Sequence, residues 1–415
     1  MSRSACLLAL ALLSPAAFAQ AKAPQQTVKP PVAQAWIDIA TYSGMMAMGM
    51  GGGPLGGLFG GGRNEASRFG NTQTGSPGRW LDVTLRTSRN PNLAEATQTV
   101  PAGSKLAPVL RLSAPQEQKA PPPDDGDAEP GNFERPKGKI YLYWGCGEAV
   151  RPGQPRVLDM ATASAAEYGG FFQARRATQR GSHQAHGRPV WPNPTDARRV
   201  PEDASLVGEH AFSGQGVPEG FNFAIPAAQD IMPPLNLAQR DSGGATMVEW
   251  RALPTARAYF LAAMGSRGEN ELVIWSSSEV PETGTGLIDY QTNAAVDRWL
   301  GEKVLLAPSV TRCAVPKGAF GEGAMLRGIA FGSELNLAHP PRPADPKQPW
   351  EPEWATKIRV KSVTMTLLGM DMGGAGPQTG RESPRETKPE EASRDEAKTI
   401  TPGEVIRGIR GIFGR

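Results

Sequence analysis

Residues 245–261, ATMVEWRALPTARAYFL, decide the fold. Thr246, Val248 and Trp250 alternate with Met247 and Glu249, so one edge of the segment is apolar and ends in a large aromatic. After the break at Leu253-Pro254, Tyr259, Leu261 and Ala263 repeat the same period of two. Such alternation belongs to a strand with one face against a core, whereas a helix would repeat every three to four residues. Working outward, Glu271 to Trp275 continues the rhythm, and Pro233 to Leu237 leads into it. Further strands are expected at Trp36–Ile39, Trp80–Thr87 and Lys139–Trp144. In Trp80–Thr87, Leu81, Val83 and Leu85 share one face, while Asp82, Thr84 and Arg86 occupy the face expected to meet water. Lys303–Leu306, Val310–Val315 and Lys357–Leu368 are candidates to complete the pattern.

An alternating strand ending in a core tryptophan, a short Pro-x-Ala turn and a tyrosine opening the next strand together resemble the first half of a fibronectin type III-like β-sandwich, over residues 233–280. The second half departs from that pattern, because Val280 to Trp299 lacks strand rhythm. The resemblance implies a sandwich and a binding or spacer module, and it brings no catalytic residues. The fold class expected is mainly β: two β-sandwich-like domains with long Gly/Pro-rich loops and a short C-terminal helix on a disordered tether. The 49 glycines and 39 prolines, about a fifth of the chain, fit short elements between many turns.

The expected organisation begins with a signal peptide at 1–19 and a linker at 20–34. An N-terminal β-rich domain follows at 35–210, with low-complexity loops at 44–62 and 114–137. The sandwich-like domain occupies 211–370, a disordered linker 371–399 and an amphipathic helix 400–415. Ala161–Arg180 can hold a helix, interrupted at Gly169-Gly170. The signal reading rests on Arg3, the apolar run Ala5–Leu13, and small residues placing cleavage after Ala19 or Ala21. Nine apolar residues are too few for a bilayer core, which needs about 20. The expected location is therefore periplasmic or secreted. Cleavage removes Cys6 and leaves Cys146 and Cys313, which in an oxidising compartment are either one disulfide or two separate buried thiols.

Catalytic signatures are missing: the chain has no G-x-S-x-G, no H-E-x-x-H and no Walker loop. His183 and His186 are three apart, in a Gly- and Arg-rich stretch without a nearby third ligand. Met45, Met46, Met48, Met50, Met370 and Met372 offer soft thioethers of the kind that select Cu(I). No cofactor is expected. Arg175, Arg176, Arg180 and Arg188, with Arg198 and Arg199 beyond, form a basic stretch suited to an envelope anion. The net charge of +3 gives no global field for nucleic acid. Thr401, Pro402 and Glu404 resemble a capped helix start, after which Val405, Ile409, Ile412 and Phe413 form an apolar stripe able to dock on a partner. The glycine-rich 44–62 run and residues 400–415 are the segments suited to peripheral membrane contact.

Three functions follow from these features. The first is an exported, non-enzymatic binding or assembly scaffold, with an envelope protein or glycan as partner. The second is a glycan-acting enzyme or carbohydrate-binding protein using Glu279, Glu282 and Asp289 near Trp275 and Tyr290. The third is a methionine-based copper-binding protein. The oligomeric state is not legible from these patterns.

Overall fold

The computed structural model describes residues 26–44, 66–74, 77–115, 137–175, 181–321 and 323–369. It is mainly β. In chain order the strands are β1 Ala33–Gly44, β2 Gly78–Thr87, β3 Glu95–Thr99, β4 Val109–Ser113, β5 Lys139–Trp144 and β6 Arg156–Asp159. Next come β7 Val190–Trp191, β8 Gly208–Gly214, β9 Asn222–Ile225, β10 Leu237–Ser242, β11 Ala245–Trp250 and β12 Ala258–Gly268. The last are β13 Glu271–Ser276, β14 Arg312–Val315, β15 Ala324–Phe331, β16 Leu335–His339 and β17 Trp354–Leu368. Short helices occupy Asn71–Thr74, Ala165–Phe171 and Asn293–Gly301. No described helix is long and apolar enough to cross a membrane.

One sheet runs β6-β5-β13-β12-β15-β17-β1-β2-β7-β4-β3-β8-β9, and β16 also pairs with β17. Its spine is the parallel pairing of β1 with β17, in register from Ala33 opposite Trp354 to Gly44 opposite Met365. β17 is long enough to take β16 along its first half and β15 along its second. Strands from either side of residue 210 are neighbours in this sheet: β1 lies beside β17, and β5 runs parallel to β13. The sheet curls. Phe221, just before β9, stacks on Trp354 of β17 at 4.8 Å, bringing the far end back over the inner face.

The decisive stretch spans two sheets. β11 belongs to a separate three-stranded sheet, β10-β11-β14, while β12 is in the large one. Trp250 meets Tyr259 edge to face at 5.4 Å, and the Tyr259 hydroxyl accepts the Leu253 N–H at 2.7 Å. Val248, Tyr259, Leu261 and Ala263 are all buried in the core shared by the two sheets. Residues 232–235 lie across the sheet spine, where their carbonyls accept the hydroxyls of Thr41, Ser43 and Ser362.

Several elements depart from the sequence patterns. Ala165–Phe171 is a helix that includes Gly169 and Gly170, held at its start by a capping box between Ser164 and Glu167. Asn293–Gly301, which lacks strand rhythm, is a helix that buries Val296 and Trp299 on the sheet's outer face. Of Lys303–Leu306, only Leu306 pairs, through a bridge to Tyr259. The face of β2 expected to meet water is covered: Asp82 is 2% and Thr84 0% exposed. Residues 45–62, 116–136 and 371–415 lie outside the described residues.

Candidate functional site

Period two places Trp36, Asp38, Ala40 and Tyr42 on the outer face of β1, Trp80 and Asp82 on that of β2, and Arg359 and Lys361 on that of β17. Register then sets the neighbours. Asp38 lies opposite both Asp82 and Arg359, and Ala40 opposite both Trp80 and Lys361. Loops 66–74, 181–188 and 286–291 close over this row, so a cluster of ionisable groups is buried at the centre of the sheet.

Asp38 is fully satisfied. Arg359 grips it with two bonds of 2.6 Å, and Ser182 adds its N–H at 3.0 Å and its hydroxyl at 2.5 Å. Burial works against the Arg359 charge, but Asp38 outweighs it and holds the guanidinium above its usual pKa. Among the described residues no cation pairs with Asp82. It accepts the Gly70 N–H at 3.0 Å, the Thr72 hydroxyl at 2.5 Å and the Thr72 N–H at 3.3 Å. Burial dominates and pushes its carboxyl up to about 7, with the Asp38 charge adding to the effect.

Lys361 is 1% exposed. Burial pulls its amine down to about 8, against the pull of Asp289, while the charges of Arg327 and Arg359 lower it further. The Lys361 Nζ lies 3.4 Å from Asp289 Oδ1, 4.3 Å from the ring centre of Tyr290 and 5.9 Å from that of Tyr42. Arg359 approaches the same Tyr290 ring, also at 4.3 Å. Burial, then the Asp38 charge, raises the Tyr290 phenol well above its usual value. Trp36 extends the row, with Arg188 and Arg86 against its ring at 5.1 and 5.7 Å.

The sequence-derived candidates divide as follows. Cys146, after β5, and Cys313, in β14, form a disulfide linking the two sheets. Arg175 bridges Glu282 at 2.5 Å and Glu302 at 2.6 Å. Arg188 contacts His183 Nε2 at 2.6 Å. Arg198 pairs with Asp196, and Arg199 lies over Trp80 at 5.4 Å. Arg176, Arg180, Val405, Ile409, Ile412 and Phe413 lie outside the described residues, as do Met45, Met46, Met48, Met50, Met370 and Met372. The three carboxylates considered for glycan chemistry each hold a different cation: Glu279 takes Arg151, Glu282 takes Arg175 and Asp289 takes Lys361. Among the described residues no three His, Cys, Asp or Glu side chains are grouped to hold a metal ion. An open groove of about 950 Å³ runs along Val109 and Arg111 beside Thr195 and Arg198, away from the buried cluster.

Sequence reasoning passed over Asp38, Asp82, Arg327, Arg359 and Lys361. A signal was present: β17 reads KIRVKS, in which every second residue from Lys357 to Lys361 is cationic, and β1 carries one acid in an otherwise uncharged run. Period two alone assigns such charges to water, and only the covering loops reverse that assignment. No family model matches the chain, and no curated protein matches it in sequence.

Proposed function

We propose that this protein is an exported, non-enzymatic scaffold that binds or assembles partners in the bacterial envelope. The observation carrying this reading is the use made of its charged residues. Asp38, Arg359, Glu279, Arg151, Glu282 and Arg175 are all engaged in pairs that tie strands and loops together. Acids committed to structural ion pairs are unsuited to paired acid–base work on a glycan. The curled sheet built on β1 and β17 supplies a rigid frame, and the disulfide between the sheets suits an oxidising compartment.

In this reading residues 1–19 are the export signal, and the mature chain is periplasmic or secreted. The β10-β11-β14 sheet packed on β12 and β15 is the sandwich-like module, and 400–415 is the helical docking segment for an envelope protein or glycan. The test is cross-linking in intact cells with the full chain and a chain lacking 400–415. A defined partner captured by the first and lost from the second supports the reading. Retention of the unprocessed leader in the cytoplasm, or turnover of envelope glycan by the purified protein, overturns it.

A further inference from the structure

The buried cluster holds more hydrogen-bond donors than acceptors, and more positive charge than negative. Lys361 carries three N–H groups. Its acceptor is Asp289 Oδ1 at 3.4 Å, long for a charge-assisted bond, which is usually near 2.7–2.9 Å. That same oxygen already takes the Tyr290 N–H at 2.7 Å. Arg327 reaches the carbonyl of Ile288 at 3.5 Å, and its buried Nε has no partner among the described residues. The Tyr290 hydroxyl, on a residue 3% exposed, has none among them either. Unmet donors in such a site are destabilising, the more so when charged.

The charges do not cancel. Asp38 is consumed by Arg359. Burial raises Asp82 to about 7, so near neutral pH it is a partial charge. Lys361 and Arg327 are left with Asp289, whose side chain is 53% exposed and so half in water. Both cations converge on consecutive residues of one loop, Ile288 and Asp289, and Tyr290 follows directly. Ile288 is itself 51% exposed, so this lip opens to solvent while Lys361 and Tyr290 behind it are covered. Water can fill donors, but it cannot offset an unpaired cation.

We propose that Lys361, Arg327 and Tyr290 form a binding site for one oxyanion, a carboxylate or phosphate group, admitted at the Ile288–Asp289 lip. The anion accepts from the ammonium, the guanidinium Nε and the phenol, and it takes over the place at Lys361 held by Asp289. Asp289 is thus a competitor that swings outward into water when the site fills. The site stands whether or not the chain is a scaffold.

The experiment is thermal unfolding and calorimetry of the full mature protein with sodium phosphate, acetate or glucuronate. Chloride at equal ionic strength is the control. The melting temperature is expected to rise with anion concentration as binding to the folded state requires. Phosphate alone giving the shift identifies a phosphate site, and acetate and glucuronate giving it identify a carboxylate site. Lys361→Met should weaken binding about tenfold or more, as expected for a lost charged hydrogen bond. Tyr290→Phe should weaken it less. Asp289→Asn should tighten it, an effect opposite to that of general damage. Should Lys361→Met fail to fold, Asp289→Asn carries the test. An unchanged melting temperature with every anion in both wild type and Asp289→Asn overturns the proposal. So does a shift in Lys361→Met equal to that of wild type.

Discussion

At the scale of single residues, two buried groups set opposite pH trends. The Asp82 carboxyl rises from 3.8 to about 7 on folding, so the folded state holds its proton more tightly than the unfolded chain. Its contribution to stability is complete below about pH 3.8 and is lost as pH rises through about 7, on the order of 4 kcal/mol. Asp82→Asn should remove that slope, read as melting temperature between pH 4 and 8. Lys361 is the mirror case, falling from 10.5 to about 8. Its contribution is present above about pH 10.5 and is lost as pH falls through about 8, which leaves a buried ammonium as a cost at neutral pH. Lys361→Met keeps the volume and removes the charge, and should stabilise the protein at pH 7 by up to about 3 kcal/mol in denaturant unfolding. Neither residue was read as buried from the sequence, since an acid or lysine on the polar side of an alternating strand looks like a solvent-facing charge.

At the scale of elements, β1 and β17 are well marked by pattern, but their pairing is not. Alternation marks each as a strand, while nothing local says that a strand starting at residue 33 lies parallel to one ending at residue 368. That pairing is sealed by Asp38 and Arg359, and the 181–188 loop covers the seal. Gly181 is required there by close approach: a Cβ would stand 1.6 Å from the Arg359 NH2 group and 2.6 Å from Asp38 Oδ2. Arg359 cannot yield, because both of its bonds to Asp38 fix it. Gly181→Ala should therefore lower stability by about 1–3 kcal/mol, with amide exchange accelerated in 181–188 and in the middle of β1. Unchanged exchange in β1 would show that the loop does not brace the pair. The helix Asn293–Gly301 illustrates the other side of legibility. Its Thr292 cap and the buried Val296 and Trp299 are helical signals in a stretch, Val280 to Trp299, marked in the sequence only by its lack of strand rhythm.

At the scale of the molecule, the Cys146–Cys313 bridge ties the large sheet to the small one across a sequence separation of 167 residues. Closing a loop of that length in the unfolded chain accounts for about 3–5 kcal/mol. Replacing both cysteines by serine should lower the guanidinium midpoint accordingly, with the largest gain in exchange in β10, β11 and β14. Equal loss across all strands would mean that the small sheet has no separate dependence on the bridge. Composition and alternation by themselves determined that this is a β-rich chain with many turns, because those properties depend on residue type and on spacing over a few positions. The tertiary structure alone decided that strands from both ends of the chain share one curled sheet, and that the charged face of its spine is enclosed. It also decided that Lys361 and Arg327 both reach the Ile288–Asp289 loop. The physical reason is burial: an alternating strand has two faces, and whether its polar face meets water or a covering loop depends on segments elsewhere in the chain, 144 residues apart for Asp38 and Ser182 and 72 for Lys361 and Asp289.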